Sequence, residues 1–168
     1  MSVISFATFK LNSSFSIESP EIKGMFSALA SRTPEGSFGP CSIFVDDRDK
    51  QIVYFITGWE SSAAHAASAN KEENKKLMEA AAALATPQAA AEIELDISNL
   101  PEEANALAYI KKTDGVPYPL EALPTMLWHG HGTDTKTPGV IHQFAAFTEV
   151  KRDHHTIDEC TLMERVRL

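Results

Sequence analysis

The sequence predicts one α+β domain, built on a four-stranded antiparallel sheet that carries its helices on a single face. Two observations lead to this class. Up to residue 97 the apolar patterns follow the order strand, helix, strand, strand, helix, strand, which is the split β-α-β arrangement. The chain of 168 residues is also close to the roughly 150 residues typical of one domain, and no Ser/Gly-rich linker divides it.

The first strand and helix have clear patterns. Residues 2–11 alternate and are rich in β-branched and aromatic side chains, which fit a pleated sheet. Ser19 supplies a helix-capping hydroxyl, and Pro20 fits a first turn, where its missing N–H is not needed. One apolar stripe then follows at helical spacing, formed by Ile22, Met25, Phe26, Leu29 and Ala30. We expect this helix to end before Pro34.

A hairpin and a long helix come next. Residues 41–45 and 51–58 are β-rich runs, and the charged residues 46–50 between them have the length and polarity of a hairpin connection. A serine after the second run caps a helix that we expect to begin near Ala63. Because Asn70 can cap a second stretch, this helix is predicted to have two parts.

The fourth strand is predicted over residues 92–97, after the long helix stops at Pro87. Apolar and acidic residues alternate in this segment, which indicates a half-buried strand. Its acids are Glu92, Glu94 and Asp96. We interpret them as the solvent-facing side of an edge strand, where charge prevents unwanted pairing.

Helices on one face leave the other face of this sheet to be covered. Either a second protomer closes sheet against sheet into a barrel, or the C-terminal residues fold over it. We therefore divide the single domain into a core, residues 1–112, and a C-terminal extension, residues 113–168. Within the C-terminal part, residues 105–112 and 140–151 resemble strands. The Pro- and Gly-containing segment 114–138 is predicted to be an ordered flap.

Charge and composition exclude several classes of protein. With 15 Lys and Arg against 23 Asp and Glu, the net charge of −8 repels phosphate backbones and anionic lipids, so neither nucleic acid nor a membrane is an expected partner. No secretory pattern or long apolar run is visible, and we expect a soluble, cytoplasmic protein. Cys41 and Cys160 lack companions at metal-ligand or redox spacing. Nucleotide-binding, serine-hydrolase and zincin motifs are absent.

One short motif carries a resemblance to a known family. The third strand ends in Gly58-Trp59-Glu60-Ser61, and His65 follows early in the next helix. With the element order, this resembles the antibiotic biosynthesis monooxygenase-like branch of the dimeric α+β barrel superfamily, especially its fungal members, over about residues 1–97. The resemblance implies a ferredoxin-like sheet, a homodimer and a cavity near this motif. Members include cofactor-free monooxygenases acting on polyketide anthrones, haem-degrading enzymes, polyketide cyclases and decarboxylases.

Two residues of this motif are candidates for the site. Trp59 either forms one wall of a ligand cleft, with its indole N–H as a donor, or plugs the end of the sheet. His65 is either a base that works near neutral pH or a packing residue, and a helix N-terminus tends to keep its ring neutral.

Three further histidines are candidates for proton transfer. His129 and His131 alternate with glycines after Trp128, so in an extended strand both rings lie on one side. They are candidates for acid–base chemistry, for a metal pair completed by His142, Asp134 or His154-His155, or for a solvated loop. His142 lies on the apolar side of its strand, either as a hydrogen-bonded core residue or as a buried base.

Together these observations lead to one hypothesis with two alternatives. The leading hypothesis is a small-molecule enzyme of polyketide-type specialised metabolism that needs no cofactor or metal and resembles a monooxygenase. In it, one of the four histidines moves a proton, and an apolar, oxygenated substrate lies between the sheet and a Trp128 flap, against Tyr54 and Trp59. The alternatives are a polyketide cyclase, isomerase or decarboxylase, and a non-catalytic ligand-binding or haem-binding protein with His65 or a loop histidine as axial ligand.

Overall fold

A computed structural model describes residues 1–119, 125–150 and 160–168. These residues form eight strands and three helices: β1 Val3–Leu11, α1 Pro20–Ala30, β2 Ser42–Asp46, β3 Ile52–Trp59, α2 Ser62–Ala69, α3 Glu72–Ala82, β4 Ala85–Ile93, β5 Ala106–Lys112, β6 Trp128–Thr133, β7 Ile141–Phe147 and β8 Thr161–Arg165. The predicted α+β class, with an antiparallel sheet, is confirmed. None of the described helices has the length and hydropathy needed to cross a bilayer.

The predicted boundary between the long helix and the fourth strand is wrong. The two helical parts are α2 and α3, but α3 ends at Ala82 and β4 begins at Ala85, seven residues before the expected start. Pro87 therefore lies inside a strand. It pairs with Phe9, next to a register shift between Thr8 and Phe9 on β1. Because β4 is the terminal strand of the sheet order, the missing N–H of Pro87 is tolerated there.

The C-terminal residues contribute half of the sheet: besides the two predicted strands, which are β5 and β7, they form β6 and β8. The strand order is β4-β1-β3-β2-β8-β5-β7-β6, and every pairing is antiparallel. The order within the second half repeats that of the first, with β5 to β8 in the places of β1 to β4. Strand β6 lies in the segment that the sequence predicted to be a flap. The pairing of β2 with β8 joins the halves.

The two outer strands of this order meet and close the sheet into a barrel. Ile93, at the end of β4, forms a bridge with Asp134, just after β6. The Glu94 N–H donates to the Thr133 carbonyl at 2.9 Å. Gly132 allows this approach, because a Cβ there would overlap the Glu94 carbonyl oxygen. The chain's own C-terminal half thus covers the exposed face, and closing the barrel requires no second protomer.

The barrel interior is filled with side chains contributed by all eight strands. Phe6 lies at its centre, with ring centroids 5.7 Å from Tyr54, 4.7 Å from Tyr109 and 5.3 Å from Phe144. The other buried members are Ile4, Phe44, Ile56, Ile93, Ala104, Leu107, Ala146 and Met163, with Trp128 packed against them. Packed side chains, Trp128 among them, thus occupy the interior face on which the sequence predicted a substrate between the sheet and a Trp128 flap.

The helices cover the outer face of the first half unevenly. From α1, Ile22, Met25 and Phe26 are buried, and Phe26 meets the Phe55 ring edge-on at 5.8 Å. By contrast, α2 buries only Ser68 and α3 only Ala81. These two helices therefore leave space above the sheet.

Candidate functional site

A cavity of about 370 Å³ lies between the first-half sheet and its helices. This volume is near the lower end of the roughly 300–1,000 Å³ typical of ligand sites. The sheet side of the cavity is formed by outward-facing residues of β1, β3 and β4, namely Ser5, Ala7, Phe9, Phe55, Thr57, Trp59, Ala90 and Glu92. The helix side includes Leu29, His65, Ser68, Leu77, Met78 and Ala81. Most of this lining is apolar, so the site suits a small apolar molecule.

Trp59 lies in the cavity wall, at the end of β3. It is only 5% exposed, and its indole N–H donates to the Ser5 hydroxyl at 3.1 Å. Its ring lies against that of His65, with centroids 5.0 Å apart and planes inclined by 31°. The strand end, Ser5 and His65 thus fix the indole, so that it offers a rigid flat surface to a ligand.

His65 is placed by the capped start of α2. The Ser61 hydroxyl accepts from the Ala64 N–H at 3.2 Å, which fixes the first turn. The His65 Nδ1 lies 2.6 Å from Glu92 Oε2. Because a carboxylate only accepts, Nδ1 carries the proton, and Nε2 of the neutral ring has a free lone pair. No hydrogen bond reaches Nε2 from the described residues, and the side chain is 29% exposed at the cavity.

Glu92 is the residue that the sequence interpretation misplaced. Glu94 and Asp96 are exposed as predicted, but Glu92 is buried in the site. Its Oε1 accepts from the Ser62 hydroxyl at 2.7 Å and the Thr135 hydroxyl at 3.2 Å. Burial acts to raise the pKa of Glu92, but the hydrogen bonds from His65, Ser62 and Thr135 outweigh it and hold that pKa below its usual value. Glu92 therefore stays ionised beside His65.

Two cationic side chains also line the cavity. Arg32 forms an ion pair with Glu73, whose carboxylate lies 2.8 Å from the guanidinium. Lys136 comes from the turn after β6 and has no ion-pair partner within the described residues. Its ammonium is thus free to meet an anionic or phenolic oxygen of a ligand.

His142 is a hydrogen-bonded core residue rather than a wall of the cavity. It is 2% exposed, and it accepts at Nδ1 from the Tyr109 hydroxyl at 2.8 Å. Its Nε2 lies 3.2 Å from Asp134 Oδ2 and donates to it. Burial lowers the pKa of His142, and the Asp134 carboxylate only partly opposes this. Both ring nitrogens are occupied, so His142 is unsuited to act directly on a ligand.

The other predicted site residues do not reach the cavity. His129 and His131 share one face of β6, as their alternation predicts, and both are exposed. Trp128 packs on the barrel core instead of forming a flap, and Tyr54 lies inside the barrel with its hydroxyl 2.9 Å from Asp46 Oδ2. The described residues contain no group of three His, Cys, Asp or Glu able to hold a metal. His154 and His155 lie outside the described residues.

Comparison with solved structures identifies the fold. A protein from Fusobacterium nucleatum provisionally named a monooxygenase matches with a TM-score of 0.66 at 13% identity, over 99% of this chain and 93% of that one. A protein of the same description from Lactobacillus acidophilus gives 0.60 at 13%, over 98% and 93%. A chlorite dismutase variant from Candidatus Nitrospira defluvii gives 0.55 at 11%, over 99% and 91%. The sequence matches no family model and no curated protein.

At such identities these similarities show the fold and leave the activity open. They support the predicted resemblance to that extent: the chain shares a curled antiparallel sheet with helices on its outer face.

Proposed function

We propose that this chain is a monooxygenase-like enzyme that works without a bound organic cofactor on a small, apolar, oxygenated aromatic molecule of polyketide type. One observation carries the proposal. His65 lies in the wall of an apolar cavity with Nδ1 held by Glu92, while Nε2 has no hydrogen bond from the described residues. The cavity wall thus includes a base with one ring nitrogen available to take a proton.

The surroundings of His65 fit the role of a proton acceptor. Glu92 fixes the tautomer with Nε2 unprotonated and stabilises the imidazolium as it forms. The mostly apolar walls lower the local dielectric and so strengthen the charge interactions inside the cavity. Lys136 provides a positive charge for the enolate or phenolate oxygen that appears when the proton leaves. Positioned proton transfer of this kind contributes about 10²–10⁴-fold in rate.

The reaction is written for an anthrone, whose CH₂ group lies between two rings opposite a carbonyl. His65 Nε2 removes one proton, and the resulting carbanion gives its electron pair to O₂, so that a C–O bond forms. The peroxide oxygen takes the proton back from His65, and the hydroperoxide loses water as its O–O bond and the second C–H bond break. The net change is CH₂ plus O₂ to C=O plus H₂O. Without O₂, the same proton removal begins a cyclisation, isomerisation or decarboxylation.

Oxygen uptake with 1,8-dihydroxyanthrone tests the proposal. The wild-type protein is expected to consume O₂ and form the quinone above the uncatalysed rate, and His65→Gln to lose about 10²-fold of that acceleration or more. His129→Gln is the matched control, because His129 is exposed on β6 and should leave the rate unchanged. Full turnover by His65→Gln would refute the assignment. Binding of the anthrone without turnover would favour the non-catalytic alternative.

Haem binding is a second candidate that the same geometry favours. A carboxylate behind a metal-ligating histidine orients the ring, and Glu92 holds His65 Nδ1 in this way. The apolar walls suit the macrocycle, and Arg32 and Lys136 suit its propionates. His65 Nε2 would hold the iron, and haem when bound supplies one-electron and O₂ chemistry. The chlorite dismutase neighbours fit this candidate.

Hemin titration separates the two candidates. A Soret shift that saturates at one hemin per chain, disappears in His65→Ala and persists in His129→Ala would establish the haem reading. If no shift depends on His65, the haem candidate falls and the cofactor-free reading is unaffected.

A further inference from the structure

A continuous chain of hydrogen bonds runs from the barrel interior to the cavity. It begins with Tyr109, which donates to His142, which in turn donates to Asp134 Oδ2. The other oxygen of Asp134, Oδ1, accepts from the backbone N–H groups of Lys136 at 2.8 Å and Thr137 at 2.9 Å. One buried carboxylate thus closes the turn after β6 and is itself anchored in the core by His142.

This turn presents Thr135 to Glu92 in two ways. The Thr135 N–H donates to the Glu92 carbonyl at 2.8 Å, and the Thr135 hydroxyl donates to Glu92 Oε1 at 3.2 Å. Ser62 donates to the same Oε1 from the opposite side of the site, at the start of α2. With Oε1 held by two hydroxyls, Oε2 is left for His65 Nδ1. The carboxylate cannot rotate away from His65 without breaking both hydroxyl contacts.

We propose that Thr135 is a positioning residue for His65, supplied by the C-terminal half of the chain, and that His142 and Asp134 act by holding Thr135 in place. The inference rests on the proposed role of His65. It also gives the buried histidine a function that does not require contact with a ligand: His142 secures the turn that orients Glu92, and Glu92 orients the base.

The chain contains a natural control for this idea. Two residues earlier, the Thr133 hydroxyl donates to Glu94 Oε2 at 3.3 Å. Like the contact between Thr135 and Glu92, it joins a threonine and a glutamate where the ends of β6 and β4 meet. This contact is exposed, however, and Glu94 does not line the cavity. Thr135→Val and Thr133→Val therefore remove the same kind of bond, one directed at the site and one away from it. Thr135→Ser keeps the hydroxyl and is the conservative rescue.

The first test follows the His65 Nδ1 proton by NMR and needs no substrate. We assign its low-field resonance by its loss in His65→Gln. Its exchange with water is expected to be about tenfold faster in Thr135→Val and in Asp134→Ala, and unchanged in Thr133→Val and Thr135→Ser, because only the first pair loses the hydrogen bond that holds the Glu92 carboxylate against His65. Equal exchange rates in the folded Thr135→Val and Thr133→Val proteins would overturn the proposal.

The second test measures oxygen uptake with 1,8-dihydroxyanthrone. Thr135→Val is expected to lower kcat about tenfold with KM unchanged, and Thr135→Ser to restore it, since the substrate does not touch Thr135. A rise in KM at unchanged kcat would contradict the positioning role. If the wild-type protein consumes no O₂, the proposed reaction fails, and the NMR comparison alone decides whether Thr135 positions His65.

Discussion

Filling the cavity from the sheet side should stabilise the protein and abolish ligand binding at the same time. Ala7 lies on the outer face of β1 and its side chain lines the cavity. Ala7→Leu adds three carbon atoms, which at about 0.8 kcal/mol per buried CH₂ amount to about 2.4 kcal/mol. Ordering the leucine side chain opposes this by about 0.5–1 kcal/mol. The net gain is about 1.4–1.9 kcal/mol, or about 3–8 °C in Tm for a chain of this size.

The same substitution at a filled site is the control. Ala108 occupies the outer face of β5, the strand that takes the place of β1 in the second half, and it is 2% exposed. Because Ala108 is packed among other buried side chains, a leucine there must displace its neighbours, so we expect a loss of about 1–3 kcal/mol. The opposite signs of the two changes distinguish an empty space from a packed one.

Thermal unfolding and tryptophan fluorescence provide the assay. A bound anthrone is expected to quench Trp59, while Trp128 packs against the barrel core and gives a constant background. Ala7→Leu should raise Tm and weaken the quenching at least about tenfold. A lower Tm for Ala7→Leu would show that the cavity is not empty. A raised Tm with undiminished quenching would place the ligand elsewhere.

Three further predictions concern the barrel. The pKa of His142 in the folded protein lies below its unfolded value of about 6.5. Between these two pKa values the unfolded chain binds more protons than the folded one. The free energy of unfolding therefore decreases as the pH is lowered through this range, by up to about 1.4 kcal/mol per pH unit. Between about pH 7.5 and 5.5, the free energy of unfolding measured in urea should therefore decrease less in His142→Gln than in wild type. Phe6→Ala should lower the free energy of unfolding by about 3–5 kcal/mol, measured in urea, because Phe6 fills the barrel centre. Gly132→Ala should open the seam between β4 and β6 and speed hydrogen exchange at the Glu94 amide, while unchanged exchange would contradict the overlap with the Glu94 carbonyl.

The sequence predicted the parts of the fold whose local patterns agree with their tertiary surroundings. The start of α1 at Pro20, the hairpin between β2 and β3 and the serine cap before His65 all depend on near neighbours in the chain. The predicted cap of α1 is wrong, because the Ser19 hydroxyl makes no hydrogen bond to the helix and accepts from the Ser16 N–H instead. The boundary of β4 failed because residues 85–91 are rich in alanine, which favours a helix, whereas pairing with β1 draws them into the sheet. Helix propensity predicts poorly for a segment that can form backbone hydrogen bonds along the whole length of a neighbouring strand.

Some residues of the candidate site could likewise be predicted from local patterns, and others could not. Trp59 and His65 could be found because they stand six residues apart around one strand end. Glu92 reaches His65 across 27 positions, and Thr135 reaches Glu92 across 43. No local sequence pattern can indicate contacts between residues so far apart in the chain. An alternating strand with acids at every second position looks solvated throughout, and only the fold shows that one of its three acids faces a histidine.

Closing the barrel within one polypeptide has a consequence for its assembly. When two separate chains supply the two halves, dilution drives them apart, and each barrel contains two equivalent sites. Here the halves are tethered, so their effective concentration is fixed by the connection between β4 and β5 rather than by the amount of protein in solution. Barrel closure should therefore survive dilution.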